Sequence, residues 1–231
     1  MPTKYEIYEG FASEYDEFVS HGDYEGNLKQ SLGSCFDFRN KSVYEFGVGT
    51  GRVTSLYVDL AKESKCFDRS EHMMARAKQN LKDFKSKATF EKCDNLQIDL
   101  LAPGADCVIE GWSFVHTVGK FEEIERVVSK IVHDCSRLLN ENGQMIFIES
   151  LGTNTSEPAA PSIKTKKFYE LLEGEYKFRR TVVRTDYRFD SVEDATRIFS
   201  FFFGDVVSKG IQEKNLKVIP EFTGIWMRGK F

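Results

Sequence analysis

From residue 43 onward, short apolar runs alternate with segments whose apolar residues recur every three to four positions. The first run, Val43–Phe46, meets a glycine-rich turn, after which Val53, Leu56, Tyr57 and Leu60 predict one face of a helix. Lys65–Phe67 is a short second strand ending at Asp68, and Ser70 is placed to cap a helix carrying Met74, Ala77 and Leu81. Ala88–Cys93 and Asp106–Glu110 read as the third and fourth strands. The clearest helix carries Ile124, Val128, Ile131, Val132, Cys135, Leu138 and Leu139, and Asn140–Gly143 is its expected stop and turn. Met145–Ile148 is apolar throughout, as a central parallel strand requires. This alternation predicts βαβ units around a parallel sheet.

The pattern changes after residue 150. Residues 151–165 read as a long loop, and Val183, Thr185, Tyr187 and Phe189 alternate with polar residues as in a half-exposed edge strand. Ser191 opens a helix carrying Ala195, Ile198, Phe199 and Phe202, and Phe222–Met227 closes the sheet, making it mixed. Trp226 and Phe201–Phe203 are assigned to the core. Without repeat, low-complexity tract or linker, residues 1–231 are expected to form one domain: 1–40 an aromatic helical lid, 41–150 a cofactor-binding half, 151–231 a substrate-side half.

Composition narrows the function. Lys plus Arg number 32 and Asp plus Glu 36, so the net charge of −4 gives no broad positive field for nucleic acid. No apolar segment approaches a membrane span, and the first ten residues lack a signal-peptide core. Five scattered cysteines without a CxxC pair suit reduced thiols in a cytoplasmic protein and disfavour structural zinc. Aromatic residues crowd the first 25 positions, with Tyr8, Phe11, Tyr15 and Phe18 at helical spacing.

The chemistry centres on Glu45-Phe46-Gly47-Val48-Gly49-Thr50-Gly51. A glycine turn between strand and helix lets a ligand approach bare backbone, next to the positive end of a helix dipole. Dinucleotide binding through GxGxxG fails because Arg52 stands where the third glycine is needed. Asp68, 21 residues beyond Gly47, can accept hydrogen bonds from both hydroxyls of a ribose.

An acid, one residue, then three glycines spaced by two resembles motif I of the class I S-adenosylmethionine-dependent methyltransferases, and the likeness covers about residues 8–150. It implies a doubly wound, Rossmann-like α/β fold: a mostly parallel seven-stranded sheet with an antiparallel last strand and helices on both faces. It implies S-adenosyl-L-methionine as cofactor and S-adenosyl-L-homocysteine as product. Glu45, Phe46, Gly47, Gly49, Gly51 and Arg52 fall in the first motif, with Glu45 near the cofactor's amino-acid end. Asp68, Arg69 and Met73 look like the ribose and adenine segment, and Asp94 and Asn95 the adenine-edge position. Glu110, Gly111 and Trp112 match the segment beside the sulfonium. Tyr8–Asp16 looks like the lead-in helix of small-molecule members, so Tyr15 is assigned to the cofactor and Tyr8, Phe11, His21, Trp112 and His116 to the acceptor. His116 is the candidate general base.

The expected reaction is in-line methyl transfer to a small-molecule acceptor, with neither nucleic acid, membrane nor metal involved. The Asn-Pro-Pro-Tyr type signature of nucleic-acid amine methylation is missing after the fourth strand. An NAD-linked oxidoreductase and a non-catalytic nucleoside- or protein-binding module on the same scaffold are the alternatives. Acceptor atom and oligomeric state are not legible.

Overall fold

The computed structural model describes residues 2–231; residue 1 of the expected lid lies outside them. Three short helices lead in: α1 (Lys4–Gly10), α2 (Ala12–Ser20) and α3 (Asn27–Cys35). Then come β1 (Ser42–Phe46), β2 (Glu63–Asp68), α4 (Glu71–Asn80), β3 (Ala88–Lys92), β4 (Ala105–Gly111), α5 (Phe114–Val118), α6 (Ile124–Leu138) and β5 (Leu139–Thr153). The remainder forms α7 (Ile163–Gly174), β6 (Arg179–Arg184), β7 (Tyr187–Arg188), α8 (Val192–Phe203), α9 (Asp205–Glu213), β8 (Val218–Ile219) and β9 (Glu221–Gly229).

The main sheet has seven strands in the order β3-β2-β1-β4-β5-β9-β6. Six strands share one direction, and β9 alone runs against them, antiparallel to both β5 and β6. This is the doubly wound, Rossmann-like architecture, with its order reversing between β1 and β4. Strand pleat divides the core into two layers. Tyr44, Phe46, Val108, Met145 and Phe147 pack with α6 and α7 on one face. Val43, Cys107, Ile109, Ile146 and Ile148 meet Leu28 and Leu32 of α3 and Tyr57 on the other. Among the described residues no helix is long and apolar enough to cross a membrane.

The edge strand expected through Val183, Thr185, Tyr187 and Phe189 is split: β6 ends at Arg184 in the main sheet, and β7 pairs with β8 in a separate two-stranded sheet. Two further local expectations change. After Gly51 only Thr54–Leu56 forms a regular helix, of the 3-10 type. Thr54 and Tyr57, three residues apart and therefore stacked in that geometry, both turn inward to donate to Glu45 Oε2, at 2.8 and 2.6 Å. Leu60, placed by periodicity on the buried face, is 45% exposed. The second change is at Asn140–Gly143. They bulge within β5 instead of capping α6, because Leu139 pairs with Ala105 while Gln144 already pairs with Cys107.

The N-terminal helices are tied to the sheet side of the molecule by polar contacts. Ser70 Oγ caps α4 by accepting the Met73 N–H and donates to the Tyr8 carbonyl at 2.6 Å. Asp16 of α2 binds Arg76 and Asn80 of α4 at 2.9 Å each.

Candidate functional site

The strand-order reversal opens a cleft outside the carboxyl ends of β1 and β4, where ligands bind in open α/β sheets. Gly47 and Gly49 cross its floor with φ of +68° and +55°, a left-handed backbone that side chains resist. A Cβ on Gly47 would lie 2.2 Å from that of Ser113, so packing as well as conformation demands glycine. A Cβ on Gly49 would meet only ordinary contacts at 3.8–3.9 Å, from Met73, Gly47 and Tyr15, and would stand inside the cleft.

Asp68 ends β2 and faces this turn. Its Oδ2 accepts the Gly49 N–H at 2.9 Å and its Oδ1 the Ser70 N–H at 2.8 Å, so each oxygen keeps acceptor capacity, and Asp68 lines the cleft. Burial raises its pKa, against the lowering effect of those two N–H groups. Asp94, just past β3, also lines the cleft and holds an Asx turn by accepting the Leu96 N–H. Asn95 donates to Ser113 and Thr117 hydroxyls at 2.8 and 3.0 Å, bracing the loop between β4 and α5. Arg69, Met73 and Gly111 complete this wall.

Trp112 occupies a left-handed conformation at φ +52°, which costs roughly 1–2 kcal/mol for a bulky residue. Its N–H donates to the Ile148 carbonyl at 2.7 Å, and the Arg52 guanidinium lies 4.5 Å over its indole. The strain sets the ring as a partition, because Trp112 lines both this cleft and a second, larger cavity. Tyr5, Tyr8, Tyr15, His116 and Lys120 also line both, so the two spaces are continuous. The cleft holds about 80 Å³ of free space and the adjoining chamber about 610 Å³. At the junction the Tyr8 hydroxyl and His116 Nε2 are 3.2 Å apart, and burial pushes the Tyr8 phenol far above its ordinary pKa.

The chamber is walled by aromatic rings. Phe18 stacks on Tyr187 at 4.7 Å and on Phe202 at 4.6 Å, and Tyr169 closes the opposite side with its hydroxyl on the Ser150 carbonyl at 2.7 Å. Two acids form part of its lining. Glu149 ends the apolar run of β5 and accepts the Val115 N–H at 2.7 Å, while Glu221 begins β9 and accepts from Ser150 Oγ at 2.9 Å. Burial pushes the Glu221 carboxyl up to about 7.

Several sequence-assigned residues lie elsewhere. Glu45 is buried behind the glycine turn, spends Oε2 on Thr54 and Tyr57, and is pushed by burial up to about 7; it lines neither cavity. Phe46 is core, stacked on Phe67 at 5.1 Å. Gly51 packs against Leu81 and Ala77, away from the cleft, and no regular helix begins there to offer a dipole. Glu110 is fully buried and braces the loop by accepting the Ser113 and Phe114 N–H groups. Phe11 packs on Phe201 at 5.4 Å, and His21 stacks on Phe189 at 4.3 Å with Nδ1 on the Arg188 carbonyl, so neither reaches the chamber. Conversely, Phe202 and Phe203, assigned to the core, line the chamber, whereas Trp226 is fully buried. Sequence reasoning missed Tyr5, Ser113, Thr117, Lys120, Glu149, Tyr169 and Glu221. For Glu149 a signal existed, since an acid directly after a fully apolar central strand repeats the placement of Asp68.

Residues 43–143 match a family model described as a methyltransferase domain. A protein from Anoxybacillus flavithermus called an uncharacterized methyltransferase is 27% identical over 175 residues, covering 73% of this chain and 78% of its own. One of the same description from Bacillus cytotoxicus is 26% identical over 194 residues, covering 78% and 84%. Among solved structures, the precorrin-6y C5,15-methyltransferase of Geobacter metallireducens superposes with a TM-score of 0.51 at 15% identity, over 86% of this chain and 88% of that one.

Proposed function

We propose that this chain, a class I S-adenosylmethionine-dependent methyltransferase, delivers the methyl group to a small-molecule acceptor held in the aromatic chamber. The observation that carries this reading is the continuity of the cofactor cleft with that chamber through Tyr8, Trp112 and His116. A cavity of about 610 Å³ walled by side chains of α1, α2, α7 and α8 suits a molecule taken in whole.

When bound, S-adenosylmethionine supplies a methyl carbon already activated by its sulfonium. The residues present fit it. Asp68 would accept from the ribose hydroxyls and Asp94 from the adenine amino group, while Gly49, lacking a side chain, would let the chain that joins ribose to amino acid approach the backbone. Arg52, a cation lining the chamber and fixed over Trp112, would face the carboxylate of that amino acid. The protein's contribution is then position: aligning the acceptor with the methyl carbon and excluding water supplies about 7–11 kcal/mol in well-oriented reactions. His116, oriented by Tyr8, stands at the junction of cleft and chamber, where it would position the acceptor.

The test is to incubate the protein with methyl-tritiated S-adenosylmethionine and a cell extract separated into small molecules, RNA and protein. Label is expected in the small-molecule fraction. Label confined to RNA or protein would contradict the reading.

A further inference from the structure

Glu149 and Glu221 are not needed to hold S-adenosylmethionine, yet both face the chamber with almost no exposure, at 0% and 5%. Burying a carboxyl beside aromatic rings is costly unless something compensates it. Glu221 is compensated by the hydroxyls of Ser150, which donates to Oε1, and of Thr153, whereas Oε2 is sealed from solvent with no hydrogen bond of its own among the described residues. The carboxyl of Glu149 lies against that of Glu110, fully buried behind it on β4. Two carboxyls in contact away from water compete for a proton, and burial pushes that of Glu110 up to about 8. The charge of Glu149 is felt by Tyr8, which lines the junction with the cofactor cleft.

An acidic floor under aromatic walls is the chemistry that recognises a cation: carboxylates supply charge and acceptors, and ring faces supply the quadrupole. Of the chamber's own cations, Arg52 is stacked on Trp112 and its charge also reaches Glu221, while Lys120 lies 5.0 Å over the ring of Tyr5, which is itself 41% exposed.

Resting on the methyltransferase reading above, we propose that the acceptor is an amine, drawn in as its ammonium form by Glu221 and relieved of its proton at the Glu110–Glu149 pair. The ammonium supplies Glu221 Oε2 with the donor that the protein does not. On losing one proton to the Glu149 carboxylate, the nitrogen regains its lone pair. That pair forms the new bond to the methyl carbon as the carbon–sulfur bond breaks, its electrons remaining on the neutral thioether. The methylated nitrogen leaves with the positive charge the sulfonium brought, and the pair returns its extra proton to solvent when the chamber empties. Glu149 and Glu221 thus act on the acceptor, while Glu110 is a positioning residue acting through Glu149.

The test uses the full chain saturated with S-adenosylhomocysteine, titrated calorimetrically with 2-phenylethylamine, its neutral analogue 2-phenylethanol and the anionic phenylacetate. The amine is expected to bind at least tenfold more tightly than either analogue. Glu221→Gln is expected to erase that preference while leaving S-adenosylhomocysteine affinity unchanged, which also certifies that the variant folds. Glu149→Gln gives the independent check: amine methylation falls sharply while the amine still binds. If the amine binds no better than the alcohol or the acid, or keeps its preference in both variants, the amine assignment is overturned. Failure of S-adenosylhomocysteine itself to bind would instead strike the methyltransferase reading.

Discussion

The cofactor side and the acceptor side of this cleft are built by different means. On the cofactor side, the groups that face a ligand sit within a few residues of the carboxyl ends of β1, β2, β3 and β4: Gly49, Asp68, Asp94 and Gly111. Backbone geometry places them, so short sequence intervals carry most of the information. On the acceptor side, the wall is assembled from α1, α2, α5, α7, α8 and the ends of β5 and β9, drawn from Tyr5 to Glu221 along the chain. Side-chain packing places these, and the same scaffold can carry a different wall without changing its sheet. Under the proposed function, donor binding is a property of the fold's strand ends, whereas acceptor choice belongs to the helices laid over them.

The strongest way to break this division is Gly49→Ala. The added Cβ finds no clash at 3.8 Å or more but enters the cleft, so roughly a hundredfold loss of S-adenosylhomocysteine affinity, about 2.8 kcal/mol, is expected in calorimetry. The left-handed backbone adds a stability loss of roughly 1–2 kcal/mol in urea unfolding. Unchanged affinity would move the cofactor off the glycine turn.

Glu45 sharpens the comparison, because it belongs to the glycine motif in sequence and to the core in space. Its folded pKa, raised by burial to about 7 from 4.5, means the native state holds a proton that the unfolded chain releases. Stability from this group is therefore present below pH 4.5 and lost as pH rises through 7, by on the order of 2–3 kcal/mol between pH 5 and 8. Glu45→Gln should flatten that slope in urea melts while leaving S-adenosylhomocysteine affinity within about twofold, less than 0.5 kcal/mol. A large affinity loss would return Glu45 to the ligand.

Asp68→Asn is expected to weaken S-adenosylhomocysteine by roughly 10–30-fold, about 1.5–2 kcal/mol, as a charged acceptor becomes neutral. Tyr8→Phe is smaller. Removing the hydroxyl that orients His116 should lower turnover by roughly fivefold, about 1 kcal/mol, with cofactor affinity nearly unchanged. An equal loss of cofactor affinity would place Tyr8 on the donor side of the boundary.

The legibility of the sequence follows the same boundary. The doubly wound sheet, the capped start of α4 at Ser70 and the inward period of α6 were readable because each is local. So was the apposition of Gly49 with Asp68, which strand order enforces. The periodicity after Gly51 misled because a buried hydrogen-bond network outranked it: Thr54 and Tyr57 follow Glu45, not the helical repeat. Phe202 and Phe203 have the composition of core, and only the hollow between α8 and the sheet turns them into wall. His21 and Phe11 stand in the right segment but face away, because α2 directs Phe18 and Tyr15 inward in their place. Glu221 is invisible to spacing arguments, since its partner Ser150 lies 71 positions away.

The most direct measurement compares S-adenosylhomocysteine, adenosine and NAD by calorimetry on the same protein. With the nucleoside proposed between Asp68 and Asp94 and the amino-acid tail at Gly49 and Arg52, S-adenosylhomocysteine is expected to bind at least about tenfold tighter than adenosine, a gap of about 1.4 kcal/mol or more, with NAD giving no heat. Equal affinity for S-adenosylhomocysteine and adenosine, or a preference for NAD, would contradict that placement.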